Sequence, residues 1–207
     1  DSVPDEELRK LAAERALHTR EQVARQARRM LGDARARAKM RSFFQHWLQM
    51  NREDDLSKDP EVYPGFTAEI VSDLRASLFR FLDDVVWSDS SDYRRLLLDE
   101  NLFVNDRLAQ FYGIQIPPGE TSDDFVKVEL DPNQRSGVVT HPYLLAEFSY
   151  QKTSSPIHRG VFLTRNIVGR TLKPPPAAQV FKDADFAPNL TMREKVAELT
   201  RPQACQS

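Results

Sequence analysis

Cysteine is almost absent from this chain, which has one thiol in 207 residues. A single cysteine excludes an internal disulfide framework. The net charge of −2 is too small to indicate a partner of either sign. No apolar run approaches the roughly 18 residues that a transmembrane helix needs, so we expect no membrane span. The hydrophobic share of 40% and the charged share of 29% are ordinary for a soluble globular protein and exclude wholesale disorder.

The start of the chain also lacks familiar features. It begins at Asp1 without an initiator methionine and without an apolar signal segment. We therefore expect a piece excised or processed from a longer protein. Its length is sufficient for one or two domains with a hydrophobic core.

Residue patterns typical of common catalytic sites are missing as well. The four histidines, which show no metal-ligand spacing, are His18, His46, His141 and His158. The sequence has no glycine-rich phosphate loop and no nucleophile elbow. Ser154 and Ser155 lie close to His158, but no acidic partner is identifiable, and a turn explains these serines as well. No residue pattern therefore requires an enzyme, although none rules one out.

Helix-start signals dominate the first half of the chain and recur near its end. Pro4, followed by three acidic residues, is a good helix start. The polar residues that predict further helix starts are Thr19, Asp33, Thr67, Asn105 and Thr191. The first and last of these open capping boxes with Gln22 and Glu194. At Asn105 a capping role and a ligand contact are both open, and Gly113 predicts a helix end in the left-handed conformation.

Residues 19–41 form a basic and amphipathic stretch, with eight Lys or Arg residues against two acidic ones. The apolar residues that recur at helical spacing are Val23, Ala27, Met30, Leu31, Ala34 and Ala38. If the helix is continuous, its opposite side carries Arg25, Arg28, Arg29, Arg35 and Lys39. Gly32 and Asp33 offer a break. The basic stripe either binds phosphates or is a solvated face, and the lack of interleaved aromatic residues argues against a nucleic-acid partner.

A heavy aromatic stripe follows this stretch. Its members are Phe43, Phe44, Trp47 and Leu48. We interpret the stripe as part of the core and expect Phe44 and Trp47 to be buried together.

The character of the sequence changes after Gly113. Residues 125–130 alternate as a strand should, and 135–139 are the expected partner strand. A two-stranded ribbon cannot stand alone and must pack on helices. Pro174 to Pro176 predict an extended segment. We therefore predict a mainly α-helical fold, an irregular helical bundle with one short β-hairpin and a Pro-rich extended C-terminal segment, and a boundary near residue 120.

The segment 153–160 indicates a special local role. Pro156 stiffens it, Arg159 can clamp a carboxylate with both arms of its guanidinium, and Gly160 permits the close approach of another backbone. We expect Arg159 to be buried or half-buried and to organise the C-terminal segment, for example by binding an aspartate such as Asp131.

Several motifs, in one order, resemble a known family. In the second half they are Arg135–Thr140, Thr153–Phe162, Pro174–Pro176, Thr191–Glu194 and Cys205. In the first half they are Ala27–Asp33, Phe43–Leu48, Tyr63–Phe66 and Phe103–Gly113. Together they resemble the large secreted cytochrome c-type proteins of planctomycetes and their relatives. The resemblance implies a helical 1592-type domain of unknown function at 1–120 and a mixed helical and loop 1588-type domain at 121–207.

In that family the second domain runs into a Cys-x-x-Cys-His haem site, in which two thioethers hold the haem and the histidine is an axial ligand. Cys205 would be the first of these cysteines if the parent protein continues with Cys-His, so the chain would be truncated at the motif. The resemblance thus implies haem c in the parent and none bound by this fragment. Arg159 could then pair with a haem propionate.

The function implied by the resemblance is electron transfer or oxidoreduction in the periplasm or outside the cell. This portion would shape the surroundings of the haem, and its partners would be the downstream haem-bearing segment and an unidentified redox protein. The alternative is a non-catalytic helical binding or scaffold module, and a polyanion-binding module ranks third.

Overall fold

The computed structural model describes residues 3–50, 56–116, 124–133, 135–172 and 186–201. The fold is mainly α-helical, with one two-stranded antiparallel sheet among these residues, which confirms the predicted fold class. The contacts divide the chain into two compact units, Asp1–Asn51 and Arg52–Ser207. The Pro-rich segment predicted at 174–176 lies outside the described residues. The boundary near residue 120 stays a prediction.

The first unit contains three helices, α1 (Glu6–Ala13), α2 (Arg20–Leu31) and α3 (Ala34–Trp47). Each begins where a side-chain oxygen accepts a hydrogen bond from the first turn. The three capping side chains are Asp5, Thr19 and Asp33, and Thr19 forms the predicted capping box with Gln22. The break at Gly32 separates α2 from α3, so the continuous helix that would segregate basic from apolar residues is not formed.

The aromatic stripe is only partly buried. Phe44 and Leu48 are buried, as expected, whereas Phe43 is 53% exposed and Trp47 is half-buried. The expectation that Phe44 and Trp47 are buried together is therefore wrong for Trp47. Its ring stacks on Phe43 with a centroid distance of 6.0 Å, so the exposed ring covers part of the indole.

The second unit is built around α4 (Ala68–Val86), which packs against one strand of the sheet and against three of the shorter helices. The shorter helices that follow are α5 (Arg95–Leu98), α6 (Asp106–Tyr112), α7 (Pro142–Glu147), α8 (Pro156–Phe162) and α9 (Met192–Leu199). The predicted caps at Thr67, Asn105 and Thr191 are all formed, and Gly113 ends α6 at φ +66°. Within the described ranges, no helix combines the length and hydropathy needed to cross a bilayer.

The sheet pairs β1 (Asn101–Val104) with β2 (Val126–Glu129). Leu102 lies opposite Val128 in the antiparallel register, and both are buried. The expected pairing of β2 with residues 135–139 is wrong, because Val138–Thr140 forms a 3₁₀ turn. An extended ladder cannot run through 135–139, since Gly137 holds φ at +60°.

A turn was one explanation offered for Ser154 and Ser155, but Ser155 and Pro156 instead form the start of α8. The Ser155 hydroxyl accepts a hydrogen bond from the backbone N–H of His158 at 3.3 Å. Proline suits the first helical turn because its missing N–H would have no partner inside the helix.

Candidate functional site

The motif Arg135–Thr140 folds into a turn that is held by hydrogen bonds among its own residues. The Thr140 hydroxyl accepts a hydrogen bond from the Ser136 backbone N–H at 2.7 Å and donates to the Ser136 carbonyl at 2.8 Å. Arg135 donates from Nη1 to the Thr140 carbonyl at 3.2 Å. These three bonds fix the turn in place before α7 begins.

Gly137 is the point where two backbones meet. Its N–H donates to the Asp99 carbonyl at 2.7 Å. A Cβ at this position would lie 2.5 Å from the Cα and carbonyl oxygen of Leu97, closer than such atoms can come. The close approach that we predicted at Gly160 therefore occurs at Gly137. The expectation for Gly160 is wrong, because this residue lies within α8 and a Cβ there would meet nothing within 4 Å among the described residues.

His141 is buried directly after this turn. Its Nδ1 accepts a hydrogen bond from the Tyr143 backbone N–H at 3.3 Å, so the ring proton lies on Nε2. Nε2 then donates to the Ser77 hydroxyl at 3.3 Å, which in turn donates to the Phe103 carbonyl at 2.5 Å. Burial lowers the pKa of His141 to about 3. Both ring nitrogens are occupied, and the imidazole is neutral at physiological pH.

A cavity of about 450 Å³ opens beside α7 and α8. Its apolar wall consists of Val139, Leu144, Leu145, Phe148, Phe162 and Leu163. Phe148 and Phe162 are buried and stack with a centroid distance of 4.4 Å. We call this cavity the arginine groove, because Arg159 and Arg193 also line it. Its volume is in the range of small-molecule sites, which are mostly apolar with a few polar groups.

Arg159 is half-buried on α8, and Arg193 is exposed on α9. Neither guanidinium makes a hydrogen bond or an ion pair within the described part of the chain. Two like charges at the rim of an apolar cavity, with no carboxylate among its described lining residues, favour an anionic ligand.

The suggested pairing of Arg159 with Asp131 is not formed. The Asp131 carboxylate instead accepts two hydrogen bonds from Asn133. Asp131 lines a separate cavity of about 180 Å³ together with Arg135. The role of Arg159 as a carboxylate clamp stays a prediction, and Cys205 lies outside the described residues.

Sequence reasoning identified Arg159 but missed Arg193, which is 34 positions further along the chain. The signal available for it was the capping box at Thr191, which fixes the first turn of α9 and hence the place of Arg193. Of the serines near His158, Ser155 caps α8, the structural role that the sequence also allowed. Among the residues that the structure describes, no three His, Cys, Asp or Glu side chains are arranged to hold a metal ion.

Comparison with known families gives two matches in order along the chain. The model of PSD4, a protein of unknown function (DUF1592), matches residues 1–114. The model of PSCyt3, a protein of unknown function (DUF1588), matches residues 135–207. No curated protein and no solved structure matches the chain. The order agrees with the predicted 1592-type domain followed by a 1588-type domain. The chain therefore belongs to the PSD4 (DUF1592) family, whose model covers more than half of it, and carries a PSCyt3 (DUF1588) region after that match.

Proposed function

We propose that this chain is the portion of a secreted or periplasmic c-type cytochrome-like protein that shapes the surroundings of a haem c. The parent protein, of the planctomycete type, acts in electron transfer or oxidoreduction. The family name PSCyt3 supports a cytochrome association. The residues Cys205-Gln206-Ser207, which end the second matched region, fit the first three positions of a haem c attachment motif.

The observation that carries the proposal is the arginine groove. A haem edge is apolar apart from two propionates, and the groove offers an apolar wall with two guanidiniums that no described residue engages. Arg159 and Arg193 would hold the propionates, while Phe162 and Leu163 would contact the ring. When bound, the haem supplies a one-electron redox centre. Positive charge held next to it stabilises the reduced form.

His141, the buried histidine next to the groove, does not offer an iron ligand. His141 uses both ring nitrogens inside the protein, and His158 is exposed with its ring 5.2 Å from that of Tyr150. The proposed role is to position and screen the haem, and a Cys-His that continues the motif in the parent protein would supply the histidine ligand.

The test uses the parent protein made with haem c maturation machinery. Arg159→Gln should lower the midpoint potential, because a positive charge next to the haem is lost. Arg170→Gln is the matched control, since Arg170 is exposed and does not line the groove. Cys205→Ala should remove one thioether and shift the haemochrome absorption. A parent without haem c, or equal potentials in both arginine variants, would contradict the proposal.

The alternative function is a non-catalytic helical binding module. A specific observation favours it for the first unit, where a large apolar groove is open to solvent. The two functions can coexist in one protein, since they use different units.

A further inference from the structure

Helix α9 is weakly anchored for an element that lines a cavity. Its one buried residue is Lys195, and its apolar residues Met192, Val196 and Leu199 are only half-buried. It packs against α8. A helix of eight residues is marginal in water by itself, so α9 depends on packing for its order.

Helix α8, in contrast, is held firmly. The buried Ser155 caps its start, and the buried ring of Phe162 at its end stacks on Phe148. A π-helical turn, Leu163–Ile167, continues α8, and within it the Thr164 hydroxyl donates to the Gly160 carbonyl at 2.8 Å. Of the two helices, α9 is therefore the one that can separate at low cost.

The arginine groove lies across the seam between these helices. Arg159 lines it from α8, and Arg193 lines it from α9. The two guanidiniums repel each other, and no carboxylate is among the described lining residues. The seam therefore lacks the negative charge that would join its two sides.

Arg193 is also unfavourably placed for the helix that carries it. It lies in the first turn of α9, where the helix dipole disfavours a cation. The neighbouring acid, Glu194, is already engaged, because its carboxylate accepts hydrogen bonds from the backbone N–H and the hydroxyl of Thr191, both at 2.7 Å. An external anion explains an arginine that opposes the dipole and has no ion pair among the described residues.

We propose that a ligand with two carboxylates on an apolar body, bound in the arginine groove, clamps α9 onto α8. The inference rests on the proposed function, in which the haem propionates are these carboxylates. One carboxylate accepts hydrogen bonds from Arg159 and the other from Arg193, while the apolar body lies on Leu163 and Phe162. Helix α9 separates from α8 more readily when the groove is empty, because nothing then bridges the two arginines.

The clamp would link the groove to the residue proposed for haem attachment. Leu199 ends α9, and Cys205 follows it six positions later in the sequence. Six residues span at most about 20 Å. The position of α9 therefore limits how far an attached haem can lie from the groove.

The test measures amide hydrogen exchange of the whole chain with and without metal-free mesoporphyrin, an apolar ring with two propionates. Its dimethyl ester is the matched control ligand, since it keeps the ring but lacks both charges. With mesoporphyrin at about 100 times its Kd, we expect exchange in α9 to slow by up to about 100-fold, because α9 then opens only when it releases the ligand. Exchange in α4, which contributes no residue to the groove, should stay unchanged.

Three variants locate the clamp. Arg193→Gln should still bind mesoporphyrin through Arg159, but bound ligand should no longer slow exchange in α9. Arg170→Gln is the matched control, since Arg170 is exposed and does not line the groove, and it should respond like the unmodified chain. Arg193→Glu supplies the missing carboxylate within the chain, so exchange in α9 should be slow without any ligand. This protection should be smaller when Arg159→Gln is added, which separates pairing across the seam from the effect of the helix dipole.

Mesoporphyrin that binds without slowing exchange in α9 would overturn the clamp and leave the proposed function standing. Equal protection by the dimethyl ester, or a full response in Arg193→Gln, would also overturn it. If mesoporphyrin shows no saturable binding, the clamp is wrong, and the midpoint potentials of the arginine variants in the parent protein then decide the proposed function separately.

Discussion

The imidazole of His141 donates to the hydroxyl of Ser77 across 3.3 Å in the core of the second unit. Ser77 lies in the part matched by the first family model, and His141 lies in the part matched by the second. The contact of Gly137 with Leu97 crosses the same divide. Strand β2 lies between the two matched ranges and pairs with β1 of the first. The end of the DUF1592 region and the start of the DUF1588 region thus share one hydrophobic core.

The buried histidine should make stability depend on pH. Its pKa is lowered from 6.5 to about 3 in the folded state, so the unfolded chain binds a proton that the folded chain does not. The free energy of unfolding that depends on this neutral histidine is fully present above pH 6.5. It is lost as pH falls toward 3, by up to about 1.4 kcal/mol per pH unit. Urea unfolding at a series of pH values measures this slope.

His141→Asn tests the assignment, because asparagine keeps the helix cap but does not titrate. We expect its unfolding free energy to be flatter between pH 6.5 and 4.5. Asp73, Asp84 and Asp99 are largely ionised in both states above pH 4.5, because their ordinary pKa of 3.8 lies below this range. Burial raises the pKa of each carboxyl, but ion pairs and hydrogen bonds outweigh it, so the folded-state pKa is lower still. His158→Asn is the exposed control and should keep the slope of the parent. An unchanged slope in His141→Asn would refute the neutral buried histidine.

The two glycines at 137 and 160 should respond in opposite ways to alanine. Gly137→Ala places a methyl group on the Leu97 backbone at φ +60°, and we expect a loss of about 3 kcal/mol. Gly160→Ala adds a methyl group within α8 where nothing is near, and we expect a gain of about 0.5–1 kcal/mol. Thermal and urea unfolding of both variants checks the pair, and a similar effect at both sites would contradict this account.

Local signals could predict the helix starts but not the contacts between distant segments. Thr19, Thr67 and Thr191 lie within three residues of the groups they cap, so a short window of sequence contains the whole interaction. The strand at Leu102 is four residues long, and its partner lies more than twenty positions away, beyond the reach of such a window. The backbone contact of Gly137 depends on this tertiary packing as well.

The candidate site shows the same limit. Arg159 stood out because Pro156 and Gly160 flank it, whereas Arg193 and the wall formed by Phe148 come from other elements. The helical spacing of the apolar residues in α2 could be seen in the sequence. Whether the face that they form is buried or exposed could not. Periodicity cannot tell a buried face from an exposed one, and in the structure Gln26 is buried whereas Met30 and Leu31 are exposed.

Lys58 should stabilise the end of α7. Its Nζ donates to the carbonyl of Ala146 at 2.8 Å, of Tyr150 at 3.1 Å and of Ser149 at 3.2 Å. Burial lowers the pKa of this amine. Lys58→Met keeps the aliphatic stem but leaves these carbonyls without their donor, so we expect a loss of about 1–3 kcal/mol.

Lys152→Met is the control for Lys58. Lys152 pairs with Asp59 at 3.1 Å, but its side chain is 63% exposed. Exposed pairs contribute about 0–1 kcal/mol, so this variant should unfold close to the parent. If the two lysine variants lose equal stability, the three hydrogen bonds of Lys58 are not the source of its contribution.

Arg159 should matter for binding and not for stability. Its guanidinium makes no hydrogen bond or ion pair with the described residues, so Arg159→Gln should change the unfolding free energy of this chain by less than about 0.5 kcal/mol. The double variant with Arg193→Gln should behave in the same way, because removal of two like charges leaves no described carboxylate unpaired. Urea unfolding measures both. A loss of several kcal/mol would show that the guanidinium holds the C-terminal segment together, and the arginine groove would then be a structural feature instead of a ligand site.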